Sequence, residues 1–164
     1  MTARRLTPDD APAFHALWLD GLRRFPSAFL LTEAEALATP VDAIAQAMKQ
    51  GNHWGAYDGT EMIGLGILRR GGPERLRHTG DLGPFYVHPD AQGRGVGRVL
   101  LDTMLDVARE DGLLQVELCV DVTNDAACRL YKAAGFTQFG LRPRSVLLDG
   151  QPRDDLLMML RFDA

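Results

Sequence analysis

An α+β fold with a mixed, largely antiparallel sheet is what this 164-residue sequence predicts. Three observations carry that reading. Segments of helical period come first, turn dipeptides then join short alternating runs into hairpins, and one strand–helix–strand succession follows. The length suits a single domain, residues 1–164, whose core is large enough to need no disulfide staples.

The chain opens with a short strand at "RRL", after which Thr7 offers an N-cap before Phe14, Leu17, Trp18 and Leu22 at helical spacing. Pro26 closes that helix. "SAFLLTEAEALATP" reads as a short helix or an ordered loop, and "VDAIAQAMKQG" as a helix stopped by Gly51. "HWGAYDG" and "EMIGLGILRR" flank Asp58-Gly59, the signature of a tight hairpin. A third strand follows in "HTGDLGPFYVHP", where Gly83-Pro84 marks an irregularity because proline cannot donate to a ladder.

From Gly97 to Asp111 the residues Leu100, Leu101, Met104, Leu105 and Ala108 share one face and Asp102, Asp106, Arg109 and Glu110 the other, an amphipathic helix ended by Gly112. "LLQVELCVDV" alternates like a strand, so the strand–helix–strand order implies a parallel pair. "NDAACRLYKAAGF" begins with an N-cap at Asn124 and ends with Gly135 in the C′ position, backed by Phe136. "TQFGLRPRSVLLDGQPRDDLLMMLRF" supplies two more strands around Asp149-Gly150 and Pro152.

Composition narrows the function classes. Hydrophobic residues at 46% and charged ones at 24% match an ordinary globular protein rather than a disordered or fibrous one. The net charge of −4 argues against a nucleic-acid partner, since phosphate neutralisation needs a broad basic face, while leaving room for an isolated basic pocket. No stretch approaches the roughly eighteen apolar residues of a membrane span, and no apolar segment follows the charged start, so no membrane association and a cytoplasmic location are expected. Cys119 and Cys128 lack CxxC spacing and read as reduced thiols; His15, His53, His78 and His88 are scattered, and no metal is called for.

The chemistry-bearing stretch is "VHPDAQGRGVGR". A strand that passes into a helix through glycines exposes several backbone N–H groups together at the positive end of a helix dipole, a nest suited to phosphate. The Gly-Lys-Ser/Thr ending of a Walker loop is missing, and GxGxG after an antiparallel meander fits a dinucleotide fingerprint poorly.

Gln92, Gly95 and Gly97 do satisfy Gln/Arg-x-x-Gly-x-Gly/Ala after a strand ending in "VHP", and "VDVTNDAACRLYKAAGF" then places Asn124, Tyr131, Gly135 and Phe136 in order. Together these motifs, spanning Asp81 to Phe136, resemble the coenzyme A loop and following elements of the GCN5-related N-acetyltransferase (GNAT) superfamily. The resemblance implies the GNAT fold: helices on both faces of a sheet splayed by a bulge in its fourth strand. It implies acetyl-CoA as cosubstrate and an amine as acceptor. By the same resemblance the cofactor-binding positions are Gln92, Gly93, Arg94, Gly95, Val96, Gly97 and Arg98 at the pyrophosphate, with Phe85, Tyr86 and Val87 along the pantetheine arm.

The resemblance also implies that the Val87 N–H faces the thioester carbonyl as an oxyanion contact and that Tyr131 is the general acid. Asn124 caps its helix and, on the family pattern, also bonds the pantetheine arm. Phe25, Phe29 and Glu33 fall where the family shapes its acceptor site. Direct transfer needs a neutral amine, and an alkyl ammonium has a pKa of about 10.4, so a proton must leave first. Asp81 or Glu117, on strands expected to border the cleft, are the candidate bases.

The expected function is therefore an acetyl-CoA-dependent N-acetyltransferase acting directly on a primary amine of a small molecule, amino acid or peptide. The rival is a non-catalytic acyl-CoA sensor or regulatory module, which would have no use for a proton donor at Tyr131. A homodimer through the exposed edge of the terminal hairpin is compatible with the pattern.

Overall fold

The computed structural model describes residues 1–163. A seven-stranded sheet has the order β1-β2-β3-β4-β5-β7-β6. Its strands are β1 (Thr2–Arg5), β2 (His53–Asp58), β3 (Glu61–Arg69), β4 (Thr79–Val87), β5 (Gln115–Asp121), β6 (Thr137–Leu148) and β7 (Gln151–Arg161). Only the β4–β5 pair is parallel. The helices are α1 (Ala11–Arg24), α2 (Glu33–Ala38), α3 (Val41–Met48), α4 (Val96–Glu110) and α5 (Asp125–Ala133).

Apolar periodicity sends these helices to opposite faces. The α1 residues Phe14, Leu17, Trp18 and Leu22 bury with Ile44 and Met48 of α3 against Leu65 and Tyr86. On the other face, Leu100, Leu101 and Met104 of α4 are wholly buried against Trp54, Ile63, Leu82 and Leu118. Gly66 lets α4 approach β3 closely, since a Cβ there would lie 2.9 Å from the Met104 sulfur. Each such fully buried leucine or methionine contributes roughly 1.5–3 kcal/mol relative to exposure.

Two local expectations shift slightly. Thr7 precedes a single 3-10 turn, Pro8–Asp10, before α1 begins at Ala11, and the Asp10 carboxylate accepts the Thr7 N–H at 2.8 Å. In the first hairpin Asp58 still pairs with Glu61, so the loop is Gly59-Thr60 rather than Asp58-Gly59, with Gly59 at φ +60°. The second hairpin turns at Asp149-Gly150, whose φ values of 50° and 77° are those a type I′ turn requires.

The feature that shapes the site is in β4. Gly66 pairs with Phe85 but Leu68 pairs with Leu82, so β4 carries one residue more than β3 over that interval, a bulge around Gly83-Pro84. The β4–β5 ladder runs from Thr79↔Gln115 to Leu82↔Leu118 and ends there. Beyond it β4 stays with β3 and β5 with β7, which leaves a cleft between Phe85–Val87 and Cys119–Asp121.

At the far edge, Asp10 accepts two hydrogen bonds of 2.9 Å from Arg4 and one of 2.8 Å from the Tyr57 hydroxyl. The Arg4 bonds above all hold its carboxyl well below the usual range, so ionised Asp10 stabilises the fold above its unfolded pKa and that contribution fades as pH falls. Asp10→Asn should therefore cost about 1–2 kcal/mol at pH 7, and urea titrations at acid pH should show the gap between variant and wild type closing.

Candidate active site

The α4 N-terminus opens beside the cleft. Gly93 and Gly95 have φ of 76° and 78°, a region that favours glycine, and neither would meet another atom within 4 Å if it carried a Cβ. Among the described residues, no backbone N–H from Gly93 through Arg98 donates to a protein acceptor, and the first bond of α4 runs from the Val99 N–H to the Gly95 carbonyl at 3.0 Å. Those of Val96, Gly97 and Arg98 belong to the first turn of α4, at the positive end of its dipole. Gln92 fixes the loop to the strand before it, its Nε2 donating to the Val87 carbonyl at 3.1 Å.

The two arginines of the loop are already engaged. Arg94 pairs with Asp58 at 2.8 Å. Arg98 pairs with Asp102 at 2.8 Å and donates to the Ala133 carbonyl at 3.0 Å, which braces the start of α4 against the end of α5. The backbone N–H groups of the loop are free donors in addition to those that the two guanidinium groups keep.

Along β4 the bulge reverses the alternation of side chains. Leu82 faces α4, yet beyond the bulge Phe85 and Val87 pack on that side and Tyr86 enters the α1 core. The Tyr86 side chain is thus parted from those of Phe85 and Val87, on the opposite face of the strand. The His88 N–H donates to the Ile63 carbonyl at 2.9 Å, so by ladder alternation the N–H and C=O groups of Phe85 and Val87 turn away from β3, into the cleft.

Tyr131 lies buried on α5, its ring centroid 6.3 Å from Phe85 and 5.8 Å from Phe136. Burial pushes its phenol far above the ordinary value, so it is protonated at neutral pH. Its hydroxyl has no hydrogen-bond partner among the described residues, yet the one fully enclosed side-chain polar atom without a partner there is His53 Nδ1, so the hydroxyl reaches accessible space.

The placement of Tyr131 is secured at both ends of α5. Asn124 Oδ1 accepts the Ala127 N–H at 3.2 Å. Phe136 N–H donates to the Tyr131 carbonyl and Gly135 N–H to that of Lys132, both at 3.0 Å, a Schellman end with Gly135 at φ 102°. Before the helix, the buried Asp121 accepts the Thr123 N–H and hydroxyl at 2.8 and 2.6 Å and the Arg153 guanidinium at 3.1 Å. Burial opposes ionisation of Asp121, but Arg153 and Thr123 hold its carboxyl below the usual range.

Asp81 and Glu117 sit opposite each other on the paired stretch of β4 and β5, just before the strands part. They face away from α4, because their neighbours Gly80, Leu82, Val116 and Leu118 pack against its side. Glu117 accepts the Thr79 hydroxyl at 3.0 Å, and Arg69 lies 3.9 Å from Asp81. Desolvation raises the Asp81 carboxyl above its ordinary pKa; Arg69 opposes that and the Glu117 charge adds to it.

On the α1 side, Phe25 and Phe29 approach the Tyr86 ring at 6.1 and 5.8 Å, while Glu33 is tied to Arg23 at 2.6 Å. The polar group there was not singled out in the sequence: Asp20 accepts the Tyr86 hydroxyl at 2.9 Å and has His88 Nε2 3.8 Å away. Asp20 belongs to α1, Tyr86 to β4 and His88 follows β4 directly, and only the VHP motif pointed toward them.

Residues 14–136 match the model of the Acetyltransferase (GNAT) family. The chain belongs to this family. N-alpha-acetyltransferase RimI of Mycobacterium tuberculosis is 40% identical over 101 residues, which are 60% of this chain and 61% of that protein. Mycothiol acetyltransferase of Beutenbergia cavernae is 49% identical over 59 residues, 36% of this chain and 20% of that protein. The chain thus spans about three fifths of the first relative's length and a fifth of the second's. In fold it resembles the ribosomal-protein-alanine N-acetyltransferase of Brucella melitensis, with a TM-score of 0.86 over 99% of this chain and 100% of that one at 23% identity. The open seven-stranded sheet with helices on both faces is the GNAT architecture.

Removing the Asp121 carboxylate leaves Arg153 and the Thr123 turn without their acceptor. Asp121→Ala should cost about 3 kcal/mol, readable by urea denaturation.

Proposed function

We propose that the protein is an acetyl-CoA-dependent N-acetyltransferase that passes the acetyl group directly to a primary amine of a small molecule, amino acid or peptide. The observation that carries this reading is the run of unpartnered backbone N–H groups from Gly93 to Arg98, opening beside the break in the β4–β5 ladder. That geometry fits the cosubstrate: glycine backbone without obstructing side chains for a pyrophosphate, and the cleft-facing backbone groups of Phe85 with the Val87 N–H for a pantetheine arm, the Val87 carbonyl being held by Gln92. Asn124, at the head of α5, keeps its side-chain N–H donors for the same arm.

When bound, acetyl-CoA supplies an activated thioester carbonyl. The Val87 N–H, turned into the cleft, donates to that carbonyl oxygen as negative charge gathers on it. Asp81, with its raised pKa, takes the proton that the acceptor ammonium must lose, directly or through water; Glu117 beside it is the second choice. As the new C–N bond forms and the C–S bond breaks, Tyr131 gives its hydroxyl proton to the departing sulfur, and the second proton shed by the acylated nitrogen returns through water to the phenolate. What supports that role is position: the Tyr131 ring packs on Phe85, and its hydroxyl is not enclosed.

Calorimetry with acetyl-CoA, followed by a thiol-release screen over primary amines, tests the reading. Binding without turnover on any amine would favour the sensor alternative; no binding at all would remove both. Tyr131→Phe should lower kcat by about 100-fold with acetyl-CoA affinity kept, and unchanged turnover would take Tyr131 out of the mechanism.

Base catalysis by Asp81 predicts a kcat/KM that falls at acid pH through a limb lying above the ordinary carboxylate value of about 3.9. Asp81→Asn should abolish that limb and lower the neutral rate by about 100-fold. Persistence of the limb in Asp81→Asn and its loss in Glu117→Gln would transfer the role to Glu117.

A further inference from the structure

We propose that Arg142 anchors a carboxylate of the acceptor, and that the acceptors are free α-amino acids with apolar side chains. The proposal rests on the acyl-transfer reading above. It comes from the open part of the sheet on the face opposite α4. Register puts Arg69, Asp81, Glu117 and Met159 in one row across this face, and Cys119 and Leu157 in the next. A cavity of about 340 Å³, lined by Arg69, Thr79, Asp81 and Glu117 together with Gly71 and Leu76 of the β3–β4 connection, borders the acidic end of these rows, and Cys119 and Arg142 lie outside it.

Arg142 stands opposite Asp155 in the β6–β7 pair but does not bond to it, because the Asp155 carboxylate takes the Ser145 hydroxyl at 2.6 Å. The guanidinium instead reaches over β7 to within 3.8 Å of the Cys119 sulfur. Arg24, Arg69, Arg94, Arg98 and Arg153 each donate to an oxygen of the protein. Among the described residues the exposed Arg142 side chain donates to none, as do those of Arg75, Arg129 and Arg144, but Arg142 alone of these four reaches the β5 sulfur beside the acidic pair. It is a forked cation with its strongest acceptor still to come, at the first β5 residue past the end of the β4–β5 ladder.

Cys119 and Glu117 are successive same-face residues of a strand, about 7 Å apart. The acidic pair and the guanidinium are therefore separated by a short span, suited to one molecule whose ammonium and carboxylate sit on the same carbon with a hydrogen bond at each end. Half-buried Leu157 and Met159 form the floor alongside and suit an apolar side chain. A peptide N-terminus has a neutral carbonyl where the amino acid has its carboxylate, and would leave Arg142 without a counter-charge.

Initial rates with acetyl-CoA test this on two matched sets: L-leucine, L-leucinamide and isoamylamine; L-phenylalanine, L-phenylalaninamide and phenethylamine. After correction for the fraction of free amine, the wild type should prefer each acid over its amide by about 10- to 100-fold in kcat/KM. Arg142→Ala should raise KM for the acids by the same factor while kcat and the amide rates stay as they are, and Arg142→Lys should recover part of the loss. Equal use of acids and amides, or an Arg142→Ala variant that slows every acceptor alike, overturns the proposal. Acetylation of other amines but none of these six overturns it too and leaves acyl transfer standing; no turnover across the wider amine screen is the failure of acyl transfer itself.

Discussion

The break in the parallel ladder after Leu82 and Leu118 is the constraint on which the site depends. Two strands in the middle of a sheet ordinarily satisfy each other's backbone groups, and a strand edge left open there must find other partners. The extra residue in β4 bends that strand toward β3, while β5 continues along β7 through Asp121↔Asp155. The sheet keeps its continuity below the break and acquires two facing edges above it.

Around this opening the two faces divide the chemistry. On one face stand the α4 N-terminus and Tyr131, held where the Phe85 and Phe136 rings contact it. On the other stand the Asp81–Glu117 pair and the mixed charges of β6 and β7. On the proposed reading, donor recognition and acceptor recognition come from separate elements, so the acceptor side can vary while the glycine turn stays the same.

Much of this was legible in the sequence. The glycine turn, the Asn124 cap and the Gly135-Phe136 end depend on local backbone requirements that only a few residue types meet, so residue identity nearly suffices. The sense of alternation beyond Gly83-Pro84 was not legible. One inserted residue inverts which side chains face which helix, and only the register against β3 reveals that Tyr86 goes with α1. Likewise, Asp20 with Tyr86 and Asp121 with Arg153 join residues 66 and 32 positions apart, and no local pattern announces such pairs. The engagement of Arg94 and Arg98 was equally hidden, because a loop arginine looks the same whether it faces a ligand or a neighbouring carboxylate.

The pairing of those two arginines has a kinetic consequence. With Arg94 paired to Asp58 and Arg98 to Asp102, and a chain charge of −4, these two arginines add little long-range positive potential to draw a polyanion in from a distance. Attraction comes instead from fixed backbone dipoles acting at contact. An anion captured in this way arrives at an unsteered rate that responds weakly to ionic strength, and selectivity resides in how long it stays.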